Sequence, residues 1–379
     1  MKIISFKYED KALEWSLDEA EFDKLTLLVG ASGVGKTQIL KSIMRLKSIA
    51  SGKSFSATKW KILFETIDNL KFEWSGEFEN KGDINFLGYE PKTNKPSIVK
   101  EKLFCNNNLI VDRTKDAIIF NNAKTVKLDN QQSVIHLLKE EEIIKPAYKG
   151  FEKIIFSDQT DSAISMRRAN FSNSQKLLEI NKTLKAIQES TIAIEAKLFL
   201  AYKNSFKTFN IIKERYIDIF PQVEDIKVEP YDFKSDDDFV RIFKEHPFIQ
   251  IKEVGVDKWI RQEKISSGMY RSLIHIAEIY LCGEGSVFLI DEFENSLGIN
   301  CINELTNDIL SSKRQIQFIL TSHHPYIINN IDYAYWKLVT RTKGVVNTHN
   351  AEEYKIGKSK HDAFMQLIQL EQFQTGMEI

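Results

Sequence analysis

The sequence predicts an α/β fold, a mixed sheet flanked by helices, with an antiparallel β subdomain and a short helical insertion. Three observations carry that expectation. An apolar run, Leu25–Val29, leads through a glycine-rich turn into a helix-forming stretch. A second apolar run, Val287–Ile290, ends in two acids, and a third, 315–320, ends in Thr-Ser-His-His. Between the first and second lie alternating segments with Asn turns, then a run at helical spacing. At 379 residues the chain is long enough for two or three structural units and a large core.

The first element is the alternating N-terminal stretch "MKIISFKYEDKALEW", which reads as a strand and not a signal peptide. The turn after Leu25–Val29 is "GASGVGKT". Gly30, Gly33 and Gly35 allow backbone N–H groups to converge on phosphate oxygens, and the following helix favours an anion at its N-terminus. Lys36 would reach the β- and γ-phosphates, and the Thr37 hydroxyl would ligate Mg²⁺. Ser32 lies inside the same loop and belongs to the nucleotide-binding set. A nucleotide and Mg²⁺ are therefore the expected cofactors, ATP first.

"SVFLIDEFENSLG" places Asp291 and Glu292 at a strand end. Beside a phosphate loop, Asp291 is positioned to hold Mg²⁺, and Glu292 to polarise a water for in-line attack. The third strand ends in "TSHHPYI", on the same edge of a parallel sheet. His323 is the candidate to contact the γ-phosphate there, with His324 as the alternative.

"KISSGMYRSLIHIAEIY" raises a separate question, because Ser266, Ser267 and Gly268 open a helix. A small-residue turn before a helix N-terminus is itself an anion site, and an ordinary Ser N-cap reads the same way. The order of phosphate loop, long insertion, small-residue cap, acidic strand and histidine strand resembles that of the ABC-type ATPases. The chain is most similar to the RecF/SMC/Rad50-like group, especially the short ATPases of bacterial anti-phage systems of the OLD, Gabija, Septu and PARIS types. "GASGVGKT", "ISSGMYRS", "IDEFENSLG" and "TSHHPYI" carry the resemblance, which covers roughly the first 50 and the last 120 residues. Transporter ATPases usually show a Leu-Ser-Gly-Gly-Gln cap and a Pro after the catalytic Glu; here the cap is Ile-Ser-Ser-Gly-Met and Phe293 takes the proline position.

The resemblance implies an ABC-type P-loop ATPase head. In it Ser266 and Gly268 would contact the γ-phosphate held by a second copy, and Asn295 and Ser296 would lie in a loop crossing the dimer interface. It further implies a homodimer or higher homo-oligomer that regulates a separate effector protein in anti-phage defence. The alternative is a RecF-like repair or recombination ATPase acting on DNA. The expected division is 1–58 for the core lobe with the phosphate loop and 59–170 for the antiparallel β subdomain. A helical insertion lobe at 171–258 follows, and 259–379 returns to the core with the cap, acids and histidine.

Within the insertion, "EKLFCNNNLIVDR" and "AIIFNNAKTVKL" read as hairpins turning at Asn residues. Gln159, after the strand "KIIF", is the candidate for the Mg²⁺-ligating glutamine of ABC heads, with Gln131 and Gln132 left open. From Gln175 to about Ile219 apolar residues follow a 3-4 spacing until Pro221, which is too short for SMC-type arms. After His323, "DYAYWKLVTRTKGVVNTH" gives two strands with a Lys-Gly turn, and "KHDAFMQLIQLEQF" a last helix. That tail is too short for a TOPRIM nuclease domain.

Composition narrows the partners. Lys plus Arg number 52 and Asp plus Glu 53, so the chain lacks the excess positive charge of a non-specific nucleic-acid binder. Nucleic acid is a possible partner that charge does not indicate. Cys105, Cys282 and Cys301 show no Cys-x-x-Cys spacing, which fits a reducing cytoplasm. No run approaches eighteen apolar residues, so no membrane span is expected.

Overall fold

The computed structural model describes residues 1–81, 95–157, 178–231, 247–294, 314–357 and 360–378, with 306, 307, 309 and 311. In chain order it begins with strands β1 (Lys2–Asp10), β2 (Trp15–Glu21) and β3 (Leu25–Val29), and helix α1 (Lys36–Ala50). An antiparallel run follows: β4 (Thr58–Glu65), β5 (Lys71–Phe78), β6 (Ile98–Cys105), β7 (Asn108–Arg113), β8 (Ile118–Phe120) and β9 (Ala123–Lys124). Next come α2 (Val134–Leu137), α3 (Lys145–Glu152) and β10 (Ile154–Ser157). Helices α4 (Leu184–Glu189), α5 (Ile194–Lys203) and α6 (Lys207–Ile219) precede β11 (Val223–Glu229), β12 (Phe248–Glu253) and β13 (Ile260–Arg261). The chain continues with α7 (Ser267–Leu281), β14 (Val287–Ile290), β15 (Gln317–Thr321) and α8 (Pro325–Asn330). It closes with β16 (Trp336–Thr342), β17 (Val345–Asn350), α9 (Lys360–Gln369) and α10 (Glu371–Thr375). Among the described residues no helix is long and apolar enough to cross a membrane.

These elements form two compact units. The first comprises Met1–Asp158, Gly285–Phe293 and Lys313–Ile379. Its sheet runs β10-β14-β15-β3-β16-β17-β2-β1-β4-β5-β6-β7-β8-β9. The β10, β14, β15, β3 and β16 pairings are parallel, so their carboxyl ends share one edge. That part follows from composition: β3, β14 and β15 are buried on both faces, and each reads as a continuous apolar run. Helix α1 lays Ile39, Leu40, Ile43, Leu46 and Ile49 into the core at helical spacing.

The far wing, β4 to β9, is antiparallel with period-two burial, as the alternating sequence requires. Its turns are set by residues tolerant of left-handed backbone. Asn106–Asn107 and Asn121–Asn122 have φ of 48° and 66°, and of 48° and 63°. Lys343–Gly344, between β16 and β17, has 50° and 86°. All three are the two-residue hairpin turns expected from the sequence. Aromatic rings fill the wing's inner face: Trp60 meets Trp74 edge-on at 5.2 Å, Phe64 stacks on Phe72 at 5.4 Å, and Phe151 of α3 abuts both Phe64 and Trp74.

One buried ion pair ties the wing to the segment before α2. Glu101 is wholly buried and accepts hydrogen bonds from Trp74 Nε1 (2.8 Å), Ser133 Oγ (2.6 Å) and the Val134 N–H (3.0 Å). Arg113 stands 3.4 Å from its second oxygen and also donates to the carbonyls of Gln132 (2.6 Å) and Asp129 (2.9 Å). Burial pushes the Glu101 carboxyl upward, while Ser133 and Arg113 pull it back. Gln131 and Gln132 therefore sit in a segment fastened to the wing.

The second unit comprises Gln159–Glu284 and Glu294–Ser312. Its described part is a three-stranded sheet, β11-β12-β13, with helices α4 to α7. Over 184–219 the expected helical run is broken into three, α4, α5 and α6. Ser190 takes an extended backbone and its hydroxyl bonds the Ile187 carbonyl (2.7 Å), ending α4, and Ser205 adopts a φ of 50° between α5 and α6. Buried Lys197 donates to the carbonyls of Gln188 (2.9 Å) and Leu281 (3.4 Å), neutralising the C-terminal ends of α4 and α7.

Candidate functional site

In an open α/β sheet, ligands collect beyond the carboxyl ends of the parallel strands. The register brings three such ends together: Thr321 of β15 pairs with Leu28 of β3, and Leu320 with Ile290 of β14. Gly30, Asp291 and Ser322 therefore leave the sheet side by side. This is the common edge that the sequence reading expected for the glycine loop, the acids and the histidines.

The loop is built for close approach. Gly30, Gly33 and Gly35 have φ of 148°, 83° and 111°, values that side-chain-bearing residues rarely adopt. A Cβ on Gly30 would lie 2.6 Å from the Val339 carbonyl oxygen, whereas one on Gly33 would meet nothing within 4 Å. The loop is thus packed on its strand side and open on the other. Helix α1 starts at Gly35 with no side-chain cap, so its first N–H groups carry no side-chain acceptor. Buried Lys36 curls back to donate to the carbonyls of Gly30 (2.7 Å) and Ala31 (2.8 Å). Ser32 is exposed at the loop tip.

Thr37, Asp291 and Glu292 are brought together through a residue the sequence reading did not single out. Thr37 Oγ1 donates to Asp291 Oδ1 at 3.0 Å. Thr321 Oγ1 donates to the same oxygen at 2.7 Å and accepts the Glu292 N–H at 2.7 Å. The Thr321 carbonyl accepts the Phe293 N–H at 2.9 Å. Glu292 has a φ of 48°, a left-handed backbone held where the strand leaves the sheet. A strand-final Thr looks like any β-branched strand former, and only its place beside Asp291 marks it.

These residues fit Mg²⁺ and a nucleotide. A hydroxyl and a carboxylate 3.0 Å apart are a hard-oxygen donor pair. Both hydrogen bonds fall on Asp291 Oδ1, and among the described residues none reaches Oδ2. The glycine loop offers an open backbone cradle next to them.

The histidines divide. His324 N-caps α8, its Nδ1 accepting the Tyr326 N–H at 3.2 Å, so it is engaged in local structure. His323 is exposed just beyond Thr321 and Ser322. In the second unit, Ser266 N-caps α7 by accepting the Met269 N–H at 3.3 Å. Ser266 and Ser267 are exposed and Gly268 is half-buried. Gln159, Asn295 and Ser296 lie outside the described residues.

One further neighbour of the glycine loop comes from the end of the chain. Gly376, with φ 74°, follows α10, and its carbonyl accepts the Arg341 N–H at 2.7 Å. A Cβ there would lie 2.3 Å from Val34 Cγ1 and 3.2 Å from Ala31 Cβ, so the segment seats directly on the loop.

Comparison with known proteins agrees with this geometry. The solved SMC head bound to the C-winged helix domain of ScpA is similar over 92% of this chain and 97% of that one, at 13% identity and a TM-score of 0.52. That likeness shows the fold. The SMC head domain from Thermotoga maritima matches over 92% of this chain and 99% of that one, at 12% identity and a TM-score of 0.41. No curated protein sequence matches significantly. A family model described as "AAA domain, putative AbiEii toxin, Type IV TA system" matches residues 25–329, which spans every motif from the glycine loop to the histidines. The chain belongs to that AAA-domain family, and its fold is that of the SMC head.

Proposed function

We propose that the chain is a Mg²⁺-dependent ATP-hydrolysing head that closes into an ATP-bound dimer and, through that closure, controls a separate effector in anti-phage defence. The observation that carries the catalytic part is the gathering of Thr37, Asp291 and Glu292 at one sheet edge beside an uncapped helix and an open glycine loop. Lys36 leaves its own loop carbonyls and donates to phosphate oxygens. Backbone N–H groups of 33–37 orient the same oxygens. Thr37 and Asp291 hold the metal, which when bound neutralises charge on the phosphate oxygens. Glu292 accepts the proton of the attacking water as its oxygen bonds the γ-phosphorus and the bond to the leaving ADP oxygen breaks. His323 donates to the γ-phosphate.

The dimer part is supported by the cap. Ser266 and Ser267 are exposed at the start of a 15-residue helix, open to a ligand presented by another copy. A cap that completes a neighbour's site makes ATP the link between two chains, so nucleotide occupancy shifts the population of closed dimer. The defence part rests on the family to which the chain belongs.

The deciding experiment is the solution mass of Glu292→Gln with and without ATP and Mg²⁺. Doubling on addition of both is the expected result. A variant that binds ATP yet stays monomeric would overturn the dimer and leave a single-chain ATPase. Turnover that rises only with added DNA would instead move the assignment to the DNA-repair class.

A further inference from the structure

We infer that Thr321 is a positioning residue for hydrolysis: its hydroxyl fixes the Asp291 carboxylate and the Glu292 backbone relative to each other. The inference rests on the ATPase reading above, in which Asp291 holds the metal and Glu292 takes the proton.

A hydroxyl has one proton and two lone pairs. At Thr321 the proton is committed to Asp291 Oδ1 at 2.7 Å, and a lone pair accepts the Glu292 N–H at 2.7 Å. The carbonyl of the same residue accepts the Phe293 N–H at 2.9 Å. One side chain and its backbone thus hold three consecutive residues of the acidic strand end. Thr321 is 1% exposed and Ser322 wholly buried, so the hydroxyl is shielded while the acids it holds stay half-buried and reachable by water.

Two features make this more than packing. Glu292 is a non-glycine residue at φ 48°, a strained conformation that persists only where surrounding bonds over-determine it. The bond from its N–H to Thr321 is such a restraint, and it sets where the Glu292 side chain starts. The second feature is the division of labour on Asp291. Thr37 Oγ1 also donates to Oδ1, but its oxygen is the one that would ligate the metal. Thr321 ends β15, the strand between β14 and β3, and its grip on Oδ1 leaves Oδ2 for the ion. Thr321 also lies two residues before His323 in the chain.

The test uses the full chain with Thr321→Val, Thr321→Ser and, should valine prevent folding, Thr321→Cys, which keeps a weak S–H group in its place. Four quantities are measured: kcat and KM for ATP, the Mg²⁺ concentration at half-maximal effect, and ATP affinity with and without Mg²⁺ in the non-hydrolysing Glu292→Gln background. Thr321→Val is expected to lower kcat roughly 10- to 100-fold, as for loss of one hydrogen bond to a charged group. Its half-maximal Mg²⁺ rises, while ATP affinity without metal stays within about 2-fold, since the glycine loop is untouched. Thr321→Ser restores kcat and the Mg²⁺ response. A valine variant with wild-type kcat and Mg²⁺ response overturns the inference, even if it melts earlier. So does a folded serine variant that fails to recover. A wild-type chain that neither binds nor hydrolyses ATP would sink the ATPase reading itself, a different result from either.

Discussion

Glu101 in the antiparallel wing and Asp291 at the nucleotide edge are held by similar groups and left in different states. Each carboxylate accepts from a hydroxyl, Ser133 in one case and Thr321 and Thr37 in the other. Glu101 goes on to accept from an indole and a backbone N–H and faces Arg113, so both its oxygens are committed and water is excluded. Among the described residues Asp291 accepts both its hydrogen bonds on one oxygen, and the residue after it is held in a left-handed turn. The lesson concerns what remains unspent. A fully satisfied buried carboxylate holds a fold together, whereas one oriented by hydroxyls with an oxygen to spare is arranged for something that arrives later.

That contrast can be broken in order of expected effect. Lys36→Ala should abolish ATP binding, measured by titration, because the glycine loop loses its phosphate cation. Glu292→Gln should bind ATP and lose roughly 10²- to 10⁴-fold in turnover, the usual worth of a general base; unchanged turnover would refute its role. The wing variant Glu101→Ala should do the opposite. It strands Arg113 in the interior at a cost of about 3–5 kcal/mol in denaturant unfolding, while whatever folds still binds ATP. A wing variant that loses ATP binding at unchanged stability would erase the distinction between the two carboxylates.

The smaller effects sharpen it. Ser266→Ala removes the cap of α7 and should cost about 1 kcal/mol of stability, and Ser266→Gly only a few tenths. If both variants lose ATPase activity alike, the hydroxyl acts on a nucleotide and not only on its helix. Activity that follows the stability ranking would make Ser266 a cap alone. Ser266→Arg should leave ATP binding intact and stop hydrolysis.

Much of this was legible beforehand because the signals are local. Glycine spacing, a strand ending in Asp-Glu and Asn-Asn hairpins each depend on a few adjacent residues, and each appears where the pattern placed it. The strand order was not legible. β16 pairs with β3 and β17 with β2, joining the last strands to the first, and no periodicity encodes that. Over 184–219 the segment kept its helical apolar spacing, yet two serines divide it, a local competition that a 3-4 pattern conceals. Thr321 escaped notice because its partners lie 29 and 30 residues away in sequence, and its type is ordinary for a strand.

The seating of Gly376 on Val34 has a consequence for how the molecule is made. The glycine loop is synthesised long before its supports: the Val339 carbonyl under Gly30, Val346 beside Gly35 and Gly376 against Val34. Its helix meets Asp291 across 254 residues. A ribosome-bound fragment therefore carries the most recognisable motif in the chain without the walls that shape it. Pairings this distant in sequence close slowly. Nucleotide binding should thus emerge only after the β16–β17 hairpin has left the ribosome, so a nascent chain lacking it cannot trap ATP or take part in a premature dimer.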